Sequence, residues 1–353
     1  MNPHSLPKGR GAAGNPRNRF EALHYEVIDE DEHLVEGKKL ITQFFRDSTK
    51  SALAKNTSPD IPFTYDLNPY RGCEHGCVYC YARPSHEYLG FSAGLDFETK
   101  IMVKPDIHLL LEKEFKKKSW IPQAVSLGGN TDCYQPIEKK MELTRKCLEV
   151  FLRFQNPVDI ITKNYLITRD RDLLSGLAAQ DLVRCTLTIT TLDKKLQGKM
   201  EPRTSSPEMR LKAIEELAKA GIPVSVNIAP IIPGLNDSEI PAILKRAQEH
   251  GATGAYWIML RLPHGVHDLF IDWLKRSYPD RAERVINRIK EVREGKMNET
   301  QFGKRMTGSG EMADTISQLF DLTCGKIGIA KIQRKLSVDK FQRDSTQQME
   351  LGL

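Results

Sequence analysis

From about Phe63 to Leu260 the chain repeats one pattern: a short apolar run rich in β-branched residues, then a longer amphipathic stretch. The apolar runs predict six strands, FTYDL (63–67), AVSLG (124–128), VDIIT (158–162), CTLTIT (185–190), PVSVNI (223–228) and AYWIML (255–260). The intervening stretches predict helices with recognisable ends. In SSPEMRLKAIEELAKAGIP, Ser206 caps and Pro207 suits the first helical position. Leu211, Ile214, Leu217 and Ala218 form the apolar stripe, and Gly221 followed by Pro223 ends the helix. SEIPAILKRAQEHG repeats this logic, with Ser238 capping and Gly251 closing. Six strands alternating with helices predict a parallel sheet with right-handed crossovers. Periodicity leaves open whether that sheet is doubly wound or curls into a full or partial barrel.

The flanks read differently. Residues 1–20 carry Lys8, Arg10, Arg17 and Arg19, no acidic residue and many Gly, Pro and Asn, which predicts a flexible arm within an N-terminal extension, 1–60. An acidic patch, VIDEDEHLVEG, follows. After Pro263 the chain turns helical and highly charged, with a further helix near ADTISQLFDLTCGKIGI. The expected organisation is a core over 61–265, a helical C-terminal extension over 266–335 and a flexible polar tail over 336–353.

Composition adds boundaries to this picture. Forty per cent apolar and 28% charged residues in a chain of 353 support a sizeable core. No apolar run approaches the roughly 20 residues of a membrane span. The first 20 residues lack the apolar stretch of a secretory signal, so a cytoplasmic protein with no membrane partner is expected. A formal net charge of +6 permits a nucleic-acid partner without requiring one. No P-loop, nucleophile elbow or metalloprotease helix points to another enzyme class.

The seven cysteines are odd in number, and in the absence of an export signal reduced thiols are expected. Three of them, Cys73, Cys77 and Cys80, crowd into NPYRGCEHGCVYCYARPSH (68–86). Structural zinc needs four ligands, and there is no second cysteine pair, so zinc would recruit His75. A [4Fe–4S] cluster needs only three thiolates when its fourth iron is left to a small molecule. Gly72 and Gly76 relax the backbone around either group.

CEHGCVYC resembles the Cys-x3-Cys-x-aromatic-Cys signature of the radical S-adenosylmethionine (SAM) enzymes, with Tyr79 as the aromatic residue. The resemblance extends from about Asn68 to Asp237. It implies a partial (β/α)6 TIM-type barrel with a [4Fe–4S] cluster on Cys73, Cys77 and Cys80, and SAM on the open iron. By the same resemblance LGGNTD, with Gly128, Gly129, Asn130, Thr131 and Asp132, meets the SAM amino group. Lys163 pairs with its carboxylate, Thr188 and Thr190 reach the ribose, and Ile232 in APIIPGLND lines the adenine pocket. His75 is expected to tune the loop.

Reductive SAM cleavage to a 5′-deoxyadenosyl radical that abstracts hydrogen from a substrate follows as the implied activity, with an electron donor such as flavodoxin or ferredoxin as partner. Within the superfamily, ITKN, EPRTSSPEMRL with Glu201 and Arg203, PIIPGLND and RLPHGVHDLF resemble the spore photoproduct lyase-like group, which implies a nucleic-acid substrate. A peptide or small-molecule substrate, or a zinc-stabilised binding protein without activity, are the competing readings. True lyases carry a hydrogen-donating cysteine directly before a Thr-Ser-Asp triplet. Here Gly129 precedes the triplet Asn130-Thr131-Asp132 and Cys133 follows it, which argues against thymine-dimer reversal. Cys133 is retained as a candidate radical-relay thiol, against the alternative of a small packed residue.

The last residues, Gln348–Leu353, resemble the short peptides that dock bacterial proteins on the replicative sliding clamp, the second expected partner. The basic arm and EKEFKKK (112–118) would suit phosphate contacts, although EKEFKKK also reads as a solvated helix face.

Overall fold

The computed structural model describes residues 9–20, 40–331 and 335–343. Among the described residues ten strands are formed: β1 (Gln43–Arg46), β2 (Leu53–Lys55), β3 (Tyr65–Leu67), β4 (Tyr70–Arg71), β5 (Lys100–Val103), β6 (Val125–Leu127), β7 (Val158–Thr162), β8 (Val183–Thr188), β9 (Val224–Ile231) and β10 (Gly254–Met259). Strands β3, β6, β7, β8, β9 and β10 lie side by side in that order, all parallel, with β2 antiparallel at the β3 edge. These six correspond to the six apolar runs. Each crossover carries a helix, Ile107–Lys116, Leu143–Phe154, Arg171–Ala178, Pro207–Lys219 and Ile240–Glu249. A mixed α/β architecture of this kind is that of a partial TIM-type barrel.

The strands sort their side chains by alternation. One set, including Leu127, Ile160, Leu187, Val226 and Ala255, is buried under the helices in the main apolar core. The other set, Ile161 aside, is polar on β7 and β8. Asp66, Ser126, Asp159 and Arg184 stand in register as one row across β3, β6, β7 and β8. In a closed barrel, layers of bulky branched residues would fill these positions.

Helix ends follow the expected chemistry in one case and not in the other. Ser206 caps Pro207–Lys219 by accepting from the Met209 amide at 3.3 Å. Ser238 does not cap. A 3-10 turn over Asp237–Glu239 intervenes, and the next helix starts at Ile240 with Pro241 in its first turn.

Three further expectations are corrected. A small sheet, β1–β5–β4, has no counterpart in the six apolar runs. Its strands have two to four residues and all four of β1 are exposed, so they are too short for a periodic apolar run to mark them. Residues 9–20, expected to form a flexible arm, pack on the cysteine loop: the Gly11 and Ala12 amides donate to buried Glu98 at 3.0 and 2.8 Å, and Asn18 to the Glu87 carbonyl at 2.9 Å. Lys335–Arg343, expected within the loose tail, is held by Phe341, whose ring lies 6.1 Å from Phe115 and 6.4 Å from Phe154. Aromatic burial anchors this otherwise polar segment. The clamp-like Gln348–Leu353 lies outside the described residues.

The helices Val266–Ser277 and Pro279–Glu291 do not form a separate body. Phe270, Trp273 and Val285 share an apolar cluster with Val78, Tyr79, Met200 and Ile232, so they wall the cysteine loop from behind. No helix among the described residues is long and apolar enough to cross a membrane.

Candidate active site

Each sequence-expected segment emerges at the C-terminal end of its strand, so the parallel topology converges them. The chain leaving β3 becomes the cysteine loop. LGGNTD follows β6, Lys163 follows β7, Thr190 follows β8 and Ile232 follows β9.

The cysteine loop is shaped by a buried ion pair absent from the sequence reading. Arg83 donates to the Cys77 carbonyl through Nε at 3.0 Å and Nη2 at 2.8 Å, and pairs with Glu98 at 2.5 Å. Neither side chain is solvent-accessible. Gly76 sits at φ +68°, and a Cβ there would stand 2.7 Å from Glu98 Oε2, so the tight approach requires glycine.

All three cysteines are free, Cys73 and Cys77 buried and Cys80 half-buried. Burial raises the pKa of Cys77 and Cys80, Glu201 adding to the rise at Cys77. Thiolates there therefore call for cationic partners, which the irons of a cluster supply. Three free thiols on a glycine-hinged loop fit a [4Fe–4S] cluster.

His75 does not serve as a fourth zinc ligand in this arrangement. Its Nδ1 lies 3.3 Å from Asp132 and its Nε2 lies 3.2 Å from Asn164, so both ring nitrogens are engaged. Burial opposes a charged His75, yet Asp132 and the Cys73 sulfur outweigh it and raise its pKa to about 10. Burial likewise works against the Asp132 carboxylate, which His75 nonetheless pulls down to about 2.

The glycine segment is held from below by β3. Asp66 accepts from the Gly129 amide at 3.2 Å, and Asn68 accepts from Asn130 at 3.0 Å and Thr131 at 3.3 Å. A Cβ on Gly129 would stand 2.7 Å from Asp66. The Thr131 hydroxyl donates to the Gly72 carbonyl at 2.6 Å, stitching this segment to the cysteine loop. The Gly129 carbonyl accepts from the Tyr81 hydroxyl. Asp132 is occupied by Thr162, the Lys163 amide and the Tyr134 amide as well as His75. It thus positions β7 and the loop.

Lys163 places its ammonium 5.8 Å from the Tyr79 ring centroid, beside the loop. Thr188 and Thr190 are buried at the end of β8. The Thr190 hydroxyl is already engaged, donating to Glu201 at 2.6 Å, while Tyr79 also donates to Glu201 and Arg210 pairs with it. Sequence reading named Glu201 but missed Arg210. The signal was available, because Arg210 interrupts the buried stripe of Pro207–Lys219 ahead of Leu211 and Ile214. Ile232 is buried in the cluster with Tyr79, and its amide donates to Asn236 at 2.6 Å.

For Cys133 the structure agrees with the alternative of a small packed residue. It is fully buried, with Sγ 3.8 Å from the Leu127 carbonyl and 3.9 Å from the Ile161 carbonyl, among residues of the main core. Cys133→Ala is expected to leave iron content and SAM cleavage within about twofold and to lower stability by about 1–2 kcal/mol in urea unfolding. A large activity loss with iron intact would return the relay role to this thiol.

Comparison with known proteins agrees with this geometry. A model of the Radical SAM superfamily matches residues 67–247. An uncharacterised protein of Mycobacterium tuberculosis is 36% identical over 238 residues, 67% of this chain and 70% of its own length. An uncharacterised protein of Methanocaldococcus jannaschii is 30% identical over 225 residues, 64% of this chain and 80% of its own. Among solved structures, a spore photoproduct lyase variant with bound AdoMet and dinucleoside spore photoproduct has the same fold at a TM-score of 0.57, with 17% identity over 80% of this chain and 78% of that one. Enzymes of the matched superfamily use a [4Fe–4S] cluster and SAM, and this chain belongs to the Radical SAM superfamily.

Proposed function

We propose that this protein reductively cleaves SAM and uses the resulting radical to abstract hydrogen from a nucleic-acid substrate. The observation that carries the reading is the placement of three free thiols, Cys73, Cys77 and Cys80, beside the Gly128–Asp132 segment at the C-terminal ends of parallel strands. When bound, the cluster and SAM supply one-electron cleavage of the bond to the ribose C5′. The chain's own residues hold and shield that chemistry. Cys73, Cys77 and Cys80 would hold the cluster, Arg83 fixes the Cys77 peptide, and Lys163, beside the Tyr79 ring, would offer a charge to the SAM carboxylate. The Tyr79–Thr190–Glu201–Arg210 network and Ile232 would form one wall of the SAM site, and the helices behind the loop shield it from water.

The nucleic-acid part of the reading is supported by the sequence resemblance to the spore photoproduct lyase-like group and by the shared fold. Within EKEFKKK, Lys116 pairs with Glu112 at 2.6 Å and Lys117 with Glu114 at 2.5 Å, so these two lysines lend it no support. A flavodoxin or ferredoxin donor and a sliding-clamp contact through Gln348–Leu353 belong to the same proposal. The test is anaerobic reconstitution with iron and sulfide, reduction, addition of SAM and chromatography for 5′-deoxyadenosine. A brown protein that forms it is the expected result. A colourless protein with one tightly bound zinc and no product would overturn the reading.

A further inference from the structure

The cysteine loop is held at two separate places. The Gly128–Asp132 segment grips it at Gly72 and Tyr81, through Thr131 and the Gly129 carbonyl. Apart from those contacts, it meets the arm at 9–12 and the stretch 198–203. Gly11 lies so close to Gly76 that a Cβ on it would overlap the Gly76 carbonyl. The Val78 amide donates to the Met200 carbonyl at 3.1 Å, and the Arg203 amide to the His75 carbonyl at 3.2 Å. Gly76 and Val78 are the chain neighbours of Cys77.

Between the arm, this stretch and the last turn of Val266–Ser277 lies a cleft of about 270 Å³. Arg10, Lys199 and Arg276 line it, and no carboxylate among the described residues does. Arg10 donates only to neutral oxygens, the Glu98 carbonyl at 2.9 Å and the Leu40 carbonyl and Thr42 hydroxyl at 3.0 Å each. Burial lowers the Arg10 pKa and Arg203 adds to the fall, while Glu98 and Glu74 oppose it. Lys199 is exposed, donates to the Ser277 carbonyl at 3.0 Å and stands 4.4 Å from the Tyr278 ring centroid. Arg276 has a carboxylate partner, Asp272 at 2.6 Å. The wall therefore keeps two cations whose hydrogen bonds go to uncharged groups. Trp273 braces it by donating to the Lys199 carbonyl at 2.9 Å.

The proposed cleavage consumes one electron per SAM. The other four cysteines are buried in the main core and offer no second cluster to relay it, so it arrives from outside the chain. Electron transfer weakens steeply with distance, which favours entry beside a ligating thiol. Cys80 is the more accessible thiol, but its neighbour Tyr81 reaches the Gly129 carbonyl, and that side is read above as the place of SAM. The cleft reaches Cys77 from the other contacts of the loop, one residue away through Gly76 or Val78. Its cations select carboxylates. A nucleic acid there would lie apart from the Gly128–Asp132 segment, and the buried Trp273 offers its bases no exposed ring to stack on.

We infer that the cleft between the arm at 9–12, Lys199 and Arg276 is the docking surface for a small acidic electron-transfer protein. One electron leaves the reduced carrier and enters the cluster beside Cys77, with no proton or group passing between them. The inference rests on reading Cys73, Cys77 and Cys80 as cluster ligands. Lys199 and Arg276 steer the carrier, and the arm supplies one wall of its seat.

The test is calorimetric titration of the full-length, anaerobically reconstituted protein with an acidic flavodoxin and an acidic ferredoxin, both oxidised so that no turnover occurs. At least one is expected to bind with a Kd on the order of tens of micromolar, as suits a weak electron-transfer encounter. Raising salt to about 0.3 M should weaken that binding roughly tenfold. Lys199→Glu and Arg276→Glu should each weaken it at least about fivefold, whereas Lys245→Glu, the same charge change on a helix outside the cleft, should stay within about twofold. With the reduced carrier as donor, 5′-deoxyadenosine formation by Lys199→Glu should fall by a similar factor. With dithionite, which needs no docking, it should stay within about twofold of wild type. Four results would defeat the inference: neither carrier binds, binding ignores salt, Lys245→Glu is as harmful as Lys199→Glu, or dithionite activity falls with carrier activity. A short DNA duplex that binds wild type but not Lys199→Glu, with neither carrier bound, would assign the cleft to nucleic acid and defeat it too. Carrier binding weakened by Lys199→Glu, with no product under dithionite, would sink the radical reading and leave the docking surface. Product under dithionite without carrier binding would sink the docking surface alone.

Discussion

Cys77→Ala is expected to abolish 5′-deoxyadenosine formation by the reconstituted, reduced protein and to lower its bound iron by about a hundredfold in affinity or more. Even residues that only support a metal ligand cost 10–100-fold when removed, and Cys77 is itself a ligand in this reading. No substitute thiol stands by, since Cys133, Cys147, Cys185 and Cys324 are all buried in the main core. The fold should survive, because the Arg83 contacts are to the Cys77 carbonyl, which alanine retains. Iron analysis, visible absorbance and product chromatography on wild type and variant form the measurement. Unchanged iron and product in Cys77→Ala would remove the cluster from this loop.

Glu98→Gln is expected to destabilise the protein by about 3–5 kcal/mol, the usual cost of stranding one charge of a buried pair. Glu98 is the hub of the region: it pairs with Arg83 and accepts from the Gly11 and Ala12 amides, all away from water. A neutral amide leaves the Arg83 guanidinium without its counter-charge and turns one acceptor into a donor. Urea unfolding reads the loss. Limited proteolysis should read its location, with cleavage in residues 9–20 accelerating before the core opens, because that segment is pinned by the same carboxylate. A stability change under about 1 kcal/mol, or no change in cleavage, would mean the pair is not what orders the loop.

Reading the chain in one dimension worked where the physics is local. Alternation of apolar runs with amphipathic stretches located all six parallel strands, although CTLTIT was placed two residues late, since Val183 and Arg184 already pair with β7. The triplet Cys73, Cys77, Cys80 was legible because its spacing lies within one loop. The reading failed where a segment's state depends on a distant partner. The arm at 9–20 looked flexible because its amides find their acceptor at Glu98, more than 80 residues away. Ser238 looked like a cap because nothing in the sequence announced the 3-10 turn at Asp237–Glu239.

The sequence by itself determined the parallel α/β architecture, the thiol loop and the family, because hydrophobic period and ligand spacing are short-range properties of the chain. Tertiary structure alone decided what each polar residue does. Asp132 and Thr190 were read as ligand contacts, and the fold also gives them partners in His75 and Glu201 that the sequence did not announce. For Cys133 the sequence left a relay thiol and a packed residue open, and the fold packs it in the core. Asp159 and Arg184 are separated by 25 positions in the chain, and only the parallel register of β7 and β8 makes them one ion pair. A polar side chain's role is set by which partners the fold brings within hydrogen-bond reach, and that information is not local.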